Sequence, residues 1–150
     1  MTRIEKSIVI EAPVEKVFDF VTNLDNFVKT SPPETEMTVL SRDKGPDRVG
    51  FKAKVRAKAG GQVLEMEMEN TELVKNKRHV VRQKGGALKK MEATDLFEPT
   101  EKGTKWTAIM EYELPYSLLG KVVDKLKVRK DIEKGMDYTV KKTKELIEKG

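Results

Sequence analysis

The stretch from Phe51 to Asn70 limits the possible folds more than any other part of this chain. Two segments of alternating character meet at Gly60-Gly61, a dipeptide suited to a tight primed turn. With those glycines as the turn, paired positions sum to 121, so Arg56 faces Glu65, Lys54 faces Glu67 and Lys52 faces Glu69. The same register sets Ala57 against Leu64, Val55 against Met66 and Ala53 against Met68. One face carries three opposite-charge pairs and the other is wholly apolar. A slip of one residue would turn every side chain to the wrong face, so charge and apolarity select one register together. The chain is therefore expected to build an antiparallel sheet with one buried face.

The flanking segments supply the rest of that sheet and its cover. Ile4, Lys6, Ile8 and Ile10 share a face, which predicts a strand over residues 3–10. Ala12-Pro13 then opens a helix, with Glu15 complementing its positive end and Val14, Val17, Phe18 and Val21 forming an apolar stripe that stops near Thr22-Asn23. A short second helix is expected over 25–29, ended by Ser31-Pro32-Pro33, and a strand over 36–42. Beyond the hairpin, strands are expected over 78–84 and 88–97, with Gly85-Gly86 as their turn and 99–103 as a loop. The last strand, 104–114, sets Trp106, Ala108, Met110, Tyr112 and Leu114 on one face. Ser117 is suited to cap a helix running to about Lys149, roughly 45 Å long at 1.5 Å per residue. Leu119, Val122, Leu126, Met136, Val140 and Ile147 form its stripe, and Gly135 permits a bend.

No repeat, low-complexity segment or linker divides these elements, so residues 1–150 are expected to form one domain. Hydrophobic and charged residues each make up 37%, too apolar for disorder and too charged for a membrane span. With no cysteine and one histidine, the chain lacks the ligands for the usual zinc sets, the partners for disulfides and a cysteine nucleophile. No cofactor is implied. The opening Met1-Thr2-Arg3-Ile4-Glu5-Lys6 has no apolar signal core, which makes the cytoplasm the expected location. A Lys/Glu-rich, cysteine-free surface is also what thermophile proteins tend to show.

Ser7-Ile8-Val9-Ile10-Glu11-Ala12-Pro13-Val14-Glu15-Lys16-Val17-Phe18-Asp19-Phe20-Val21 resembles the opening of the START-like, polyketide cyclase/dehydrase and lipid-transport superfamily. Phe97-Glu98-Pro99 with Gly103-Thr104 resembles the loop before its last strand, and 112–120 with the amphipathic tail resembles its closing helix. The resemblance covers nearly the whole chain. It implies an α+β helix-grip fold: a curved antiparallel sheet of about seven strands, two short helices after the first strand, and a long C-terminal helix enclosing a cavity. It also implies a hydrophobic small-molecule ligand, because pockets of this kind are mostly apolar with few polar groups. Fold alone leaves function open.

The expected lining comes from Phe51, Val55, Leu64, Met66, Met68 and Met91, joined by Trp106, Met110 and Tyr112 of the last strand. Leu119, Val122, Leu126 and Met136 are expected from the helix. Each of these side chains also suits plain core packing, methionine above all. Asp95 shares the parity of Met91, Ala93 and Phe97, so it is a candidate acid/base group if it points inward; a bulge or pairing with Arg82 would remove it. His79, after a polar turn, is expected as a surface imidazole, and Arg129 with Glu133 as a surface i,i+4 pair rather than a polar gate.

Residues 75–90 are basic and free of acidic side chains, which suits transient contact with an anionic membrane surface. Without aromatic residues they lack a stacking platform for specific nucleic-acid binding, and cross-strand pairing with the acidic 65–72 face is the plainer expectation. Three readings follow. The first is binding or transport of a hydrophobic or aromatic molecule, lipid-like, polyketide-like or quinone-like. The second is a cyclase/dehydrase-type enzyme, although the sequence shows no committed catalytic set. The third is a protein-interaction module resembling the co-chaperone domain of the superfamily.

Overall fold

The structure is a computed structural model that describes residues 1–45, 48–59, 62–86, 88–118 and 120–150, apart from the side chains at 118 and 123. Seven strands form one antiparallel sheet. They are β1 (Thr2–Ile10), β2 (Thr38–Arg42), β3 (Lys52–Ala59), β4 (Gln62–Val74), β5 (Arg78–Gly85), β6 (Lys90–Thr100) and β7 (Gly103–Glu113). Their order across the sheet is β1-β7-β6-β5-β4-β3-β2, so the first two strands in sequence stand on opposite edges. The helices α1 (Val14–Val21) and α2 (Leu24–Lys29) bridge from one edge to the other, and α3 (Val122–Lys149) closes the layer. This is the helix-grip arrangement.

The hairpin pairs as its charges require. Lys52 faces Glu69, Val55 faces Met66 and Arg56 faces Glu65, with 4.0 Å between the last two charged groups. Ala53, Val55 and Ala57 are buried while Lys52, Lys54 and Arg56 are exposed. The Gly60-Gly61 turn itself lies outside the described residues. Past Asn70, the β4–β5 register shifts before Glu72, a bulge that bends β4 and lets it run on to Val74.

Three boundaries differ from expectation. The 99–103 loop is a tight turn instead, because Pro99 still pairs with Thr104 and Thr100 with Gly103. The strand expected from 36 begins at Thr38, since Glu36 takes a left-handed backbone (φ 43°) behind the single turn Pro33–Thr35. Ser117 does not cap the long helix. It sits in a separate single turn, Tyr116–Leu118, and α3 starts after Gly120, a residue costing about 1 kcal/mol in a helix interior. The helix then has 28 residues, about 42 Å.

Ile10, Val17, Phe18, Phe97, Trp106, Val140 and Ile147 form the largest buried cluster, in which the Phe18 and Phe97 rings meet edge to face at 5.2 Å. Polar ties hold α3 along β1. Lys6 lies 3.3 Å from Asp137 and 3.9 Å from Glu133, Lys144 donates to the Val9 carbonyl at 2.7 Å, and the Glu11 N–H donates to Glu148 at 2.8 Å. The last bond, with Lys144 second, holds the Glu148 carboxyl below its ordinary pKa.

Candidate functional site

A cavity of about 240 Å³ lies between the sheet and α3. It exists because small side chains face one another there: Ala93 and Ala108 on the sheet, Gly135, Thr139 and Thr143 on the helix. Larger apolar groups close its sides, with Phe20 and Val21 from α1, Phe27 from α2, Pro32 and Met37 from the segment beyond, Trp106 and Met110 from β7, and Ile132, Met136 and Val140 from α3. A smaller lobe of about 100 Å³ continues toward the hairpin, between Leu24, Phe51, Ala53 and Met68. Val21, Phe27, Ala93, Asp95 and Met110 belong to the walls of both lobes.

One polar cluster is set into these walls, built by side chains from four neighbouring strands. Trp106 on β7 donates its indole N–H to Asp95 Oδ1 at 2.9 Å, and Asp95 Oδ2 lies 3.3 Å from Nδ1 of His79, its cross-strand partner on β5. The other ring nitrogen of His79 lies 3.0 Å from Asn70 Oδ1 on β4, and the Asn70 amide donates to the Arg48 carbonyl at 3.3 Å. Asp95 touches both lobes and its side chain is 17% exposed, against 6% for His79. Each hydrogen-bonded side chain orients the next, which leaves the carboxylate as the charged group the cavity meets. No group of three or more potential metal ligands occurs among the described residues.

The helices that cover the cavity are fixed by local chemistry. Asn23 caps α2 by accepting from the Asn26 N–H at 3.1 Å, while the Asn26 side chain donates to the Phe20 carbonyl at 3.2 Å and fastens α2 to α1. Asp25 pairs with Arg42 of β2, and that hydrogen bond holds the Asp25 carboxyl below its ordinary range and raises the Arg42 pKa. Thr139 of α3 donates to the Thr30 carbonyl at 3.0 Å.

Of the residues expected to line a cavity, Trp106, Met110 and Met136 line the larger lobe, and Phe51, Met68 and again Met110 line the smaller one. Asp95 points inward, and no bulge or Arg82 removes it, since Arg82 lies 3.8 Å from Glu92 instead. The others go elsewhere. Val55 is fully buried in a cluster with Leu24, Phe51 and Ala53, against which Met66 packs; neither lines a lobe. Leu64 is half-buried near the hairpin tip and also away from both lobes. Tyr112 is 1% exposed in a cluster with Ile4 and Leu114, with Met91 against it.

Val122 and Leu126 are corrections: they are 68% and 54% exposed, because the inward row of α3 is Val128, Ile132, Met136, Val140, Thr143 and Ile147, which begins farther along and around the helix. Leu119 lies outside the described residues. His79 is a second correction, since it is buried in the cluster rather than on the surface. The sequence reading also missed Phe20, Phe27 and Met37, because it drew the lining from strands and the last helix only. Phe20 and Phe27 carried a signal, the apolar face continuing through α1 and α2, whereas Met37 lies between α2 and β2, outside both helices.

Arg129 and Glu133 form the expected exposed i,i+4 pair at 2.8 Å. The basic segment is partly neutralised: Lys84 and Arg82 stand opposite Glu67 and Glu69, Arg78 lies 3.0 Å from Glu72, and Lys89 lies 3.4 Å from Glu113. Lys89 also donates to the Tyr116 hydroxyl at 2.8 Å, the main cause of its raised pKa.

A curved sheet gripping a long helix around an apolar cavity defines a helix-grip protein with room for a small ligand. The chain belongs to the family described as polyketide cyclase / dehydrase and lipid transport, which matches residues 1–148. Among solved structures it is similar to a protein from Chromobacterium violaceum, with 20% identity and a TM-score of 0.76 over 99% of both chains. It is also similar to the di-domain ARO/CYC StfQ from the steffimycin biosynthetic pathway, with 14% identity and a TM-score of 0.78 over 98% of this chain and 50% of that one. Ara h 8.0201 shares 15% identity and a TM-score of 0.72 over 99% of both chains. These likenesses are of fold. No curated protein matches the chain, and no helix among the described residues is long and apolar enough to cross a membrane.

Proposed function

We propose that this protein binds a hydrophobic or aromatic small molecule, lipid-like, polyketide-like or quinone-like, in the cavity between the sheet and α3. The observation that carries this reading is an apolar cavity with one organised polar cluster in its wall. Sites for small molecules have that composition, with apolar walls supplying affinity and a few placed polar groups supplying orientation. The larger lobe falls just under the roughly 300–1,000 Å³ of drug-sized sites, and the two lobes together reach it, so the fit is to a compact ligand. Membership of a lipid-transport and cyclase family supports the same reading. A cytoplasmic setting is kept as part of this proposal.

Trp106 is the single tryptophan and lines the larger lobe, so its fluorescence reports on the cavity directly. Native mass spectrometry of the purified protein, followed by solvent extraction, should release a stoichiometric hydrophobic compound, and adding that compound back to stripped protein should change Trp106 emission. A bare mass together with unaltered emission across a panel of apolar compounds would count against the proposal.

One observation favours a second reading, a cyclase-type enzyme: the Asp95 carboxylate is held against His79 on the cavity wall. Asp95→Asn separates the two, because an enzyme relying on that carboxylate loses turnover while a carrier has none to lose.

A further inference from the structure

Resting on the binding reading above, we infer that the ligand is a neutral molecule carrying a hydroxyl group, phenolic, enolic or alcoholic, whose O–H is accepted by Asp95, and that the cavity discriminates against carboxylates. Charge comes first. Among the described residues, neither lobe is lined by a lysine or arginine, and Asp95 is the only acidic side chain in either wall. A ligand carboxylate would meet the Asp95 carboxylate in surroundings where like charges are poorly screened. The remaining titratable group, His79, has both ring nitrogens engaged by protein atoms, Nδ1 lying 3.3 Å from Asp95 Oδ2 and Nε2 3.0 Å from Asn70 Oδ1.

Acceptor capacity comes second. An ionised carboxylate offers about four lone-pair sites. Among the described residues, one protein partner meets each Asp95 oxygen, the Trp106 N–H on Oδ1 and His79 on Oδ2. These two contacts fix the carboxylate plane and leave sites for one more donor from the cavity side.

The number of donors decides between a hydroxyl and an ammonium. An ammonium brings three N–H groups and a charge. Around it the wall offers Ala93, Ala108, Met110 and Trp106, and an N–H left without a partner in apolar surroundings is costly. A hydroxyl brings one donor to one acceptor and leaves its carbon skeleton against the apolar walls.

Three probes of one skeleton test this: naphthalene, naphthol and naphthoic acid, titrated at neutral pH against stripped protein with Trp106 emission as the signal. The wild type should bind naphthol about tenfold or more tighter than naphthalene, the size of a hydrogen bond to a charged group, and naphthoate more weakly than naphthalene. In Asp95→Asn and Asp95→Ala the naphthol-to-naphthalene ratio should fall toward one, with folding checked by circular dichroism. If all three bind alike, or naphthoate binds tightest, the hydroxyl inference is overturned while the binding site stands. If none binds, the binding reading and this inference fall together. Because the wild-type series is decisive by itself, a variant that fails to fold does not rescue the idea.

Discussion

Gly103 shows how a single position can govern the β6–β7 turn. Its φ is +143°, and a Cβ there would sit 2.2 Å from the Ile10 carbonyl oxygen and 2.9 Å from the Ala12 N–H, both backbone atoms that cannot move aside cheaply. Gly103→Ala should therefore lower stability by more than about 1 kcal/mol in urea unfolding, the reverse of the gain such a change brings at an unstrained site. Glu148 makes a different kind of contribution. Its folded pKa is lowered, first by the Glu11 N–H and then by Lys144. Its stabilisation is thus present above the unfolded carboxylate pKa and is lost as pH falls through the folded value. Glu148→Gln should be less stable than the wild type at neutral pH, and the two should converge in strong acid; an equal gap at both pH values would rule out the carboxylate as the cause. Asp95 was legible at this scale because parity alone turns it inward. His79 was not, because its polar neighbours Asn76, Lys77 and Arg78 mask the alternation that starts with it.

Whether a strand pair can be read in advance depends on its turn. The β3–β4 pairs sum to 121, as a two-residue turn at Gly60-Gly61 dictates, and two faces of opposite character enforce that sum. A two-residue turn at Gly85-Gly86 would give sums of 171 (85 + 86), whereas His79 pairs with Asp95 and Gln83 with Met91, sums of 174. The connection is longer than the glycines suggest, with β5 ending at Gly85 and β6 starting at Lys90, so the His79–Asp95 pairing stayed hidden. In α3 the apolar period was visible, but its phase was lost where Gly120 delays the start of the helix. That phase is testable. Leu126→Ala should change stability by no more than about 0.5 kcal/mol, as exposed positions do, while Ile147→Ala should cost about 2–5 kcal/mol by thermal or urea unfolding. Similar losses at both would mean that the first turns of α3 are covered in solution.

The cavity belongs to no single element, which is why the family resemblance implied that one should exist while the residues did not show where its walls run. It forms between the sheet and α3 where alanine, glycine and threonine fill less of the gap than their neighbours do. Ala93 stands at the junction of the two lobes, so replacing it tests the whole arrangement with one side chain. Ala93→Phe should place a ring in the space a ligand would take, at a cost of about 1–3 kcal/mol if the walls must shift, and at less cost if the cavity simply accepts it. In the wild type a ligand at one hundred times its Kd raises stability by about 2.7 kcal/mol through mass action. Thermal unfolding with and without naphthol should show that rise for the wild type and little or none for Ala93→Phe. If the filled variant is stabilised as much as the wild type, naphthol binds somewhere other than between the sheet and α3. If neither protein responds while Trp106 emission still changes on adding naphthol, the ligand binds the folded and unfolded chains alike, and the cavity is packing space rather than a site.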